Sequence, residues 1–218
     1  MTEQQNPDLP SEPLRAGRYT VLAQRDVLTD PGLAQLRRYL PILAVIGAPY
    51  AGLGGDSDPI NPFDVWHEWR LLASALEMAT QLRTESAAPL ALARLMPPTA
   101  RQLAQALAAN GPDAFQVVHI VAYGERDLLY LEDEQGHEAY AVAEHLARLW
   151  QPSCARLVVL EGGFSRHIAE HLLTHTSVEA VIGTRRKVMD DNALHFNAHL
   201  YAGLAAGATV RAAYRAAL

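Results

Sequence analysis

Two short apolar runs end in the residues best placed to do chemistry. One is Val117-Val118-His119-Ile120-Val121-Ala122-Tyr123-Gly124, the other Arg156-Leu157-Val158-Val159-Leu160-Glu161-Gly162-Gly163-Phe164-Ser165. Each has the length and character of a strand buried on both faces. The crevice of an open α/β sheet lies at the carboxyl ends of such strands. The residues delivered there are Tyr123 with Gly124, and Glu161 with Gly162 and Gly163. Glycine supplies no nucleophile, and a phenol, with a reference pKa of about 10, is a poor base at neutral pH.

Other reactive side chains have ordinary explanations. Cys154 is the one thiol, in Gln151-Pro152-Ser153-Cys154, ahead of its strand and so at the end opposite the crevice; it reads as structural. Ser165 reads as the cap of the next helix rather than a nucleophile, since the full Gly-x-Ser-x-Gly elbow is missing. His119 shares a strand face with Tyr123 about 13 Å away and reads as a buried, hydrogen-bonded histidine. His167, His171 and His175 fall at i, i+4, i+8, and His195 and His199 at i, i+4. That spacing puts imidazoles on one helix face and can hold zinc or nickel. No cysteine or evident carboxylate completes the set, so a solvated face is expected, with no metal or cofactor. Arg185-Arg186-Lys187 should overhang the crevice near Gly163. They form either a solvated loop paired with Asp190 and Asp191 or, with Gly162 and Gly163, a site for phosphate or carboxylate. Glu161 would oppose such an anion or pair with the arginines.

The elements that position these residues alternate between strand and helix. Arg18 to Gln24 reads as an edge strand and Pro31 to Tyr39 as a short helix. Pro41–Ala48, Pro89–Leu95, Phe115–Ala122, Arg156–Leu160 and Glu179–Gly183 read as central strands, with a short strand at Leu128–Glu132. Helices are expected over Asn61–Arg83, from Pro97 to the stop at Asn110-Gly111-Pro112, and over Ala141–Trp150, Ser165–Thr174, Asp190–Ala206 and Thr209–Leu218. Such alternation predicts an α/β fold, a mostly parallel sheet covered on both faces.

The 218 residues suit one α/β domain over 18–218, with 18–40 as a possible strand-and-helix arm and 1–17 a disordered proline-bearing lead-in. A net charge of −6 argues against a nucleic-acid partner. A single cysteine excludes an internal disulfide and fits a reducing compartment. No apolar stretch approaches the ~20 residues that span a bilayer, and the N-terminus lacks a secretory signal's apolar centre. A cytoplasmic protein with no membrane partner is expected.

With these landmarks in order, the chain from about Leu40 to Leu218 resembles the CHAT family of caspase-like peptidase domains. The landmarks are Gly47-Ala48-Pro49; Glu68-Trp69 and Leu71-Leu72; Leu95-Met96-Pro97-Pro98-Thr99; Val117-Val118-His119; the acidic turn Leu131-Glu132-Asp133-Glu134-Gln135-Gly136; and Leu157-Val158-Val159-Leu160. Ala180-Val181-Ile182-Gly183, Asp190-Asp191, Phe196, Leu200-Tyr201, Leu204-Ala205-Ala206-Gly207 and Ala212-Ala213 follow. The resemblance implies a caspase-like three-layer αβα sandwich. It also implies a His-Gly pair after the third strand and a cysteine after the next. This chain has Tyr123-Gly124 at the first place and Gly163 at the second.

The expected function is therefore a catalytically inactive peptidase homologue. It would bind a protein or peptide partner, as a scaffold or regulatory domain of a bacterial system in which TPR or ATPase modules are common neighbours. Tyr123, Gly124, Glu161, Gly162, Gly163, Ser165, Arg185 and Arg186 are the candidate binding residues. The alternatives are a module for a small anion such as a nucleotide or phosphate, and a peptidase with an unconventional nucleophile, Ser165 or Cys154.

Overall fold

A computed structural model describes residues 19–24, 40–48, 64–82, 84–108, 114–125, 127–151, 153–163, 166–184 and 190–218. Five parallel strands make its centre: β2 (Leu40–Gly47), β3 (Leu90–Arg94), β4 (Val117–Glu125), β7 (Leu157–Gly163) and β8 (Ala180–Thr184), in the order β8-β7-β4-β2-β3. β1 (Tyr19–Gln24) closes one edge, antiparallel to β8. A hairpin, β5 (Leu128–Glu132) and β6 (Glu138–Val142), turns back from the end of β4.

The apolar runs pack as period-two strands buried on both sides. Leu40, Ile42 and Ala44 of β2, Val117 of β4 and Leu157 and Val159 of β7 face one core. That core is shared with α1 (Val65–Leu82), α5 (Asp190–Ala205) and α6 (Val210–Ala217). The alternate residues Leu43, Val45, Val118, Ile120, Val158 and Leu160 face a second core. It is shared with α2 (Ala100–Leu107), α3 (Ala143–Trp150) and α4 (Arg166–His175). The expected α/β architecture, a mostly parallel sheet between two helical layers, is what the chain adopts.

Local chemistry sets the helix starts. Thr99 and Thr209 cap α2 and α6 by accepting from the amides of Gln102 and Ala212. Asp64 Oδ1 accepts from the amides of Trp66 and His67, both at 3.0 Å, at the start of α1.

One element departs from expectation. Glu138–Val142 is strand, and the helix expected from Ala141 starts at Ala143. The reason lies in the burial alternation: Glu138, Tyr140 and Val142 are exposed while Ala141 is buried. The β-formers Tyr140 and Val142 sit on the open side of a two-residue period. The acidic turn before β6 needs Gly136, whose φ of +82° falls in the left-handed region. Gly47 is required by packing, since a Cβ there would lie 2.7 Å from the Tyr130 carbonyl oxygen. The lead-in at 1–17 and the helix expected from Pro31 lie outside the described residues.

Candidate functional site

β4 and β7 are hydrogen-bonded neighbours, so their carboxyl ends arrive together. Val121 pairs with Glu161 and Gly124 with Gly163. Between these pairs β4 has two residues, Ala122 and Tyr123, against the single Gly162 of β7, which is a bulge. Bulges of this kind re-aim a side chain beside a functional crevice. The bulge also interrupts the alternation that would put Tyr123 on the same face as His119. Both strands run further than expected, and Tyr123 and Gly163 lie inside them rather than just beyond. Tyr123 is half-buried. Gly124 lies within β4 against β5, where a Cβ would stand 3.1 Å from Leu129 Cδ2 and 3.2 Å from the Leu128 carbonyl oxygen.

Glu161, two residues before Gly163, points inward. Its Oε1 accepts from Asn197 Nδ2 of α5 at 3.0 Å, and its Oε2 lies 3.6 Å from His119 Nε2. The other ring nitrogen of His119, Nδ1, is 2.6 Å from the Tyr201 hydroxyl of α5. Four polar side chains therefore occupy the otherwise apolar seam between β4, β7 and α5. His119 and Tyr201 are fully buried, and the Glu161 side chain is 15% exposed. Burial pushes the Glu161 carboxyl up, but the facing imidazole and the Asn197 amide more than offset this and hold it below its ordinary value. His119 Nε2 and Asn197 Oδ1 have no hydrogen-bond partner, so the carboxylate is ringed by two further buried polar atoms. Asn197 and Tyr201 went unassigned in the sequence. Their signal is an i, i+4 pair on the buried face of a long helix, where a lone Asn demands a polar partner.

The remaining candidates separate. Cys154 lies at the amino end of β7, where its carbonyl accepts from Gln116 Nε2 at 3.2 Å, so its thiol does not belong to the crevice. Ser165, Arg185 and Arg186 lie outside the described residues. His167, His171 and His175 do form a ladder on α4, with ring centroids 4.9 and 5.3 Å apart. The carboxylate that the spacing could not reveal is Asp127, from the turn between β4 and β5, with Oδ1 3.7 Å from His167 Nε2. Among the described residues no group of three or more His, Cys, Asp and Glu side chains is already arranged to hold a metal ion. None of the described helices is long and apolar enough to cross a membrane.

Chemically, the described crevice offers a phenol, glycine backbone and a carboxylate tied down from inside. Backbone amides and a phenol can hold an extended chain; nothing among them forms a nucleophile–base pair. Neither a protein-family model nor a curated protein matches the chain. Among solved structures it is similar to one described as "structure of pro-sf-caspase-1", with 9% identity and a TM-score of 0.40 over 62% of this chain. The matched region spans 55% of that chain, about half its length.

Proposed function

We propose that this chain is a catalytically inactive homologue of CHAT and caspase-like peptidases that works by binding. It is an interaction, scaffold or regulatory domain, and its partner is a protein or peptide. The observation that carries this reading is the pairing of Gly124 with Gly163 on adjacent parallel strands. Tyr123 directly precedes the first of these glycines, and the positions that the resemblance assigns to a dyad, Tyr123 and Gly163, hold a phenol and no side chain. Removing one member of a catalytic pair already removes most of the rate, and here both are missing. His119 is no substitute base, because it is fully buried and turned to Tyr201. Cys154 is no substitute nucleophile, because it belongs to the other end of β7. An extended peptide binds largely through backbone hydrogen bonds, which do not depend on the dyad. Against the anion-binding alternative stands Glu161, an ionised carboxylate two residues from Gly163.

Mass-spectrometric profiling of a proteome-derived peptide library incubated with the purified chain tests this. The expected result is no new termini above a blank, with a subset of intact peptides retained on immobilised protein. Tyr123→Ala should weaken that retention at least fivefold without changing the melting temperature. Reproducible cleavage abolished by one substitution in the crevice would overturn the reading.

A further inference from the structure

The imidazole ladder on α4 has a spacing that one tetrahedral ion can use. A Zn–N bond of about 2.0–2.1 Å puts a ring centroid about 3.2 Å from the ion, so two imidazoles on a tetrahedral ion have centroids about 5.2 Å apart. The two steps of the ladder, 4.9 Å between His167 and His171 and 5.3 Å between His171 and His175, bracket that separation. His171 stands in both steps, and its Nδ1 is buried without a hydrogen-bond partner. A buried polar atom of this kind calls for a ligand or a water that satisfies it.

The two steps differ in their surroundings. Asp127 Oδ1 is 3.7 Å from His167 Nε2, against the about 3.3 Å expected for an oxygen and a nitrogen sharing one tetrahedral ion. A neighbouring carboxylate also lowers the energy of a bound cation. His175, in the last turn, has an exposed side chain, and its ring stands 5.3 Å from that of His171.

We propose that His167 and His171 chelate one borderline divalent transition-metal ion, Zn2+ or Ni2+, with solvent in the remaining positions and Asp127 beside it. Imidazole nitrogen is a preferred donor for these ions, and hard cations such as Mg2+ or Ca2+ prefer oxygen sets. The ion would tie the first turn of α4 to the turn after β4, the two segments that flank the crevice. The inference stands apart from the binding function proposed above and does not depend on it.

Isothermal titration of the full chain with Zn2+ alone, and separately with Ni2+ and Mg2+, tests it. One equivalent of Zn2+ should bind with a dissociation constant in the micromolar range, Ni2+ should compete, and Mg2+ should not bind. His171→Ala and His167→Gln should each weaken Zn2+ at least tenfold, and Asp127→Asn severalfold. His167→Gln sits at a half-exposed position, so the fold survives it even if His171→Ala disturbs packing. His175→Ala should leave the affinity within twofold. His195→Ala serves as a control, because His195 and His199 share the i, i+4 spacing on α5. Absence of Zn2+ binding below millimolar concentration would overturn the proposal. So would affinity unchanged in His171→Ala and His167→Gln, or lost equally in His195→Ala.

Discussion

The two ends of the parallel sheet are built on different terms. At the amino end the strands are knitted by backbone bonds. Gln116 accepts at its carbonyl from the amides of Arg156 and Leu157, and Arg156 accepts from those of Glu179 and Ala180. Over them lies a two-pronged ion pair, Arg156 Nε to Glu179 Oε1 at 2.7 Å and a terminal nitrogen to Oε2 at 2.8 Å. From the middle of the sheet towards its carboxyl end the polar groups are turned inward, and the arrangement depends on single side chains: His119 in mid-strand, Glu161 beyond it, and Asn197 and Tyr201 of α5. One end is stabilised by repeated backbone geometry, the other by one buried polar cluster. The ligand crevice of an open α/β sheet lies at its carboxyl edge, so under the proposed function the end that depends on single side chains is also the end that binds.

The strongest way to test that contrast is His119→Leu. It keeps side-chain bulk but leaves the Glu161 carboxylate without its facing imidazole and takes Nδ1 away from Tyr201. Stability to urea should fall by about 3 kcal/mol, because removing one partner strands a buried charge. Tyr201→Phe should cost about 1 kcal/mol, the net contribution of one neutral hydrogen bond. In the double variant the losses should fall short of their sum, since the two residues share one contact. Additive losses would mean that the four side chains do not act as a unit.

Arg156→Ala probes the other end and should cost less, about 2 kcal/mol. The pair is bidentate and only about one-fifth exposed on each side, so screening by water is partial. The lost anchor is local, and the crevice lies at the far end of the strands. Peptide retention should therefore be unchanged while the urea midpoint drops. A loss of retention matching that of Tyr123→Ala would break the separation of the two ends.

Much of this contrast was legible in the residues, and the exceptions have physical causes. The strands were legible because they are buried on both faces and show as unbroken apolar runs; Leu128–Glu132 was found to the residue. Tyr123 and Gly163 were legible as lying towards the carboxyl ends of buried strands, because each follows an apolar run of strand length. β6 was not, because five residues of weak alternation running into Ala143 look like a first helical turn. The bulge was not, because an extra residue leaves no compositional mark. Glu161 was legible as a carboxylate near the crevice, but not as an inward-facing one. Its direction is set by Asn197, thirty-six positions away, and such long-range pairing has no local signal. Asp127 escaped for the same reason.

A pH series on Glu161→Gln gives a smaller, signed effect. Because the folded carboxyl is held below its ordinary value, ionisation favours the folded state. That stability is complete above the ordinary carboxyl value of about 4.3 and is lost as pH falls through the lower folded value. Wild type should thus exceed Glu161→Gln in urea midpoint at neutral pH. The gap should close as the pH falls below about 4.3. A gap that stays constant through that window would mean that the contribution of Glu161 does not depend on its ionisation, and that the inward-facing cluster is not electrostatic in origin.

The least effect belongs to an exposed arginine–glutamate pair, Arg101 with Glu134, and that small size sharpens the comparison. Arg101 Nε donates to Glu134 Oε1 at 2.9 Å, close to the 2.7 and 2.8 Å of the Arg156 contacts. Glu134 sits in the acidic turn near Glu132, whose Oε1 accepts from the Ala48 amide at the carboxyl end of β2. Here, however, the side chains are 66% and 46% exposed. Water screens such a pair, and ordering two long side chains offsets most of the remaining attraction. Arg101→Ala should shift stability by less than about 0.5 kcal/mol, and added salt should not change the result. A loss equal to that of Arg156→Ala would show that contact distance, not burial, ranks the two pairs. In that case the amino end would owe its advantage to the backbone ladder alone.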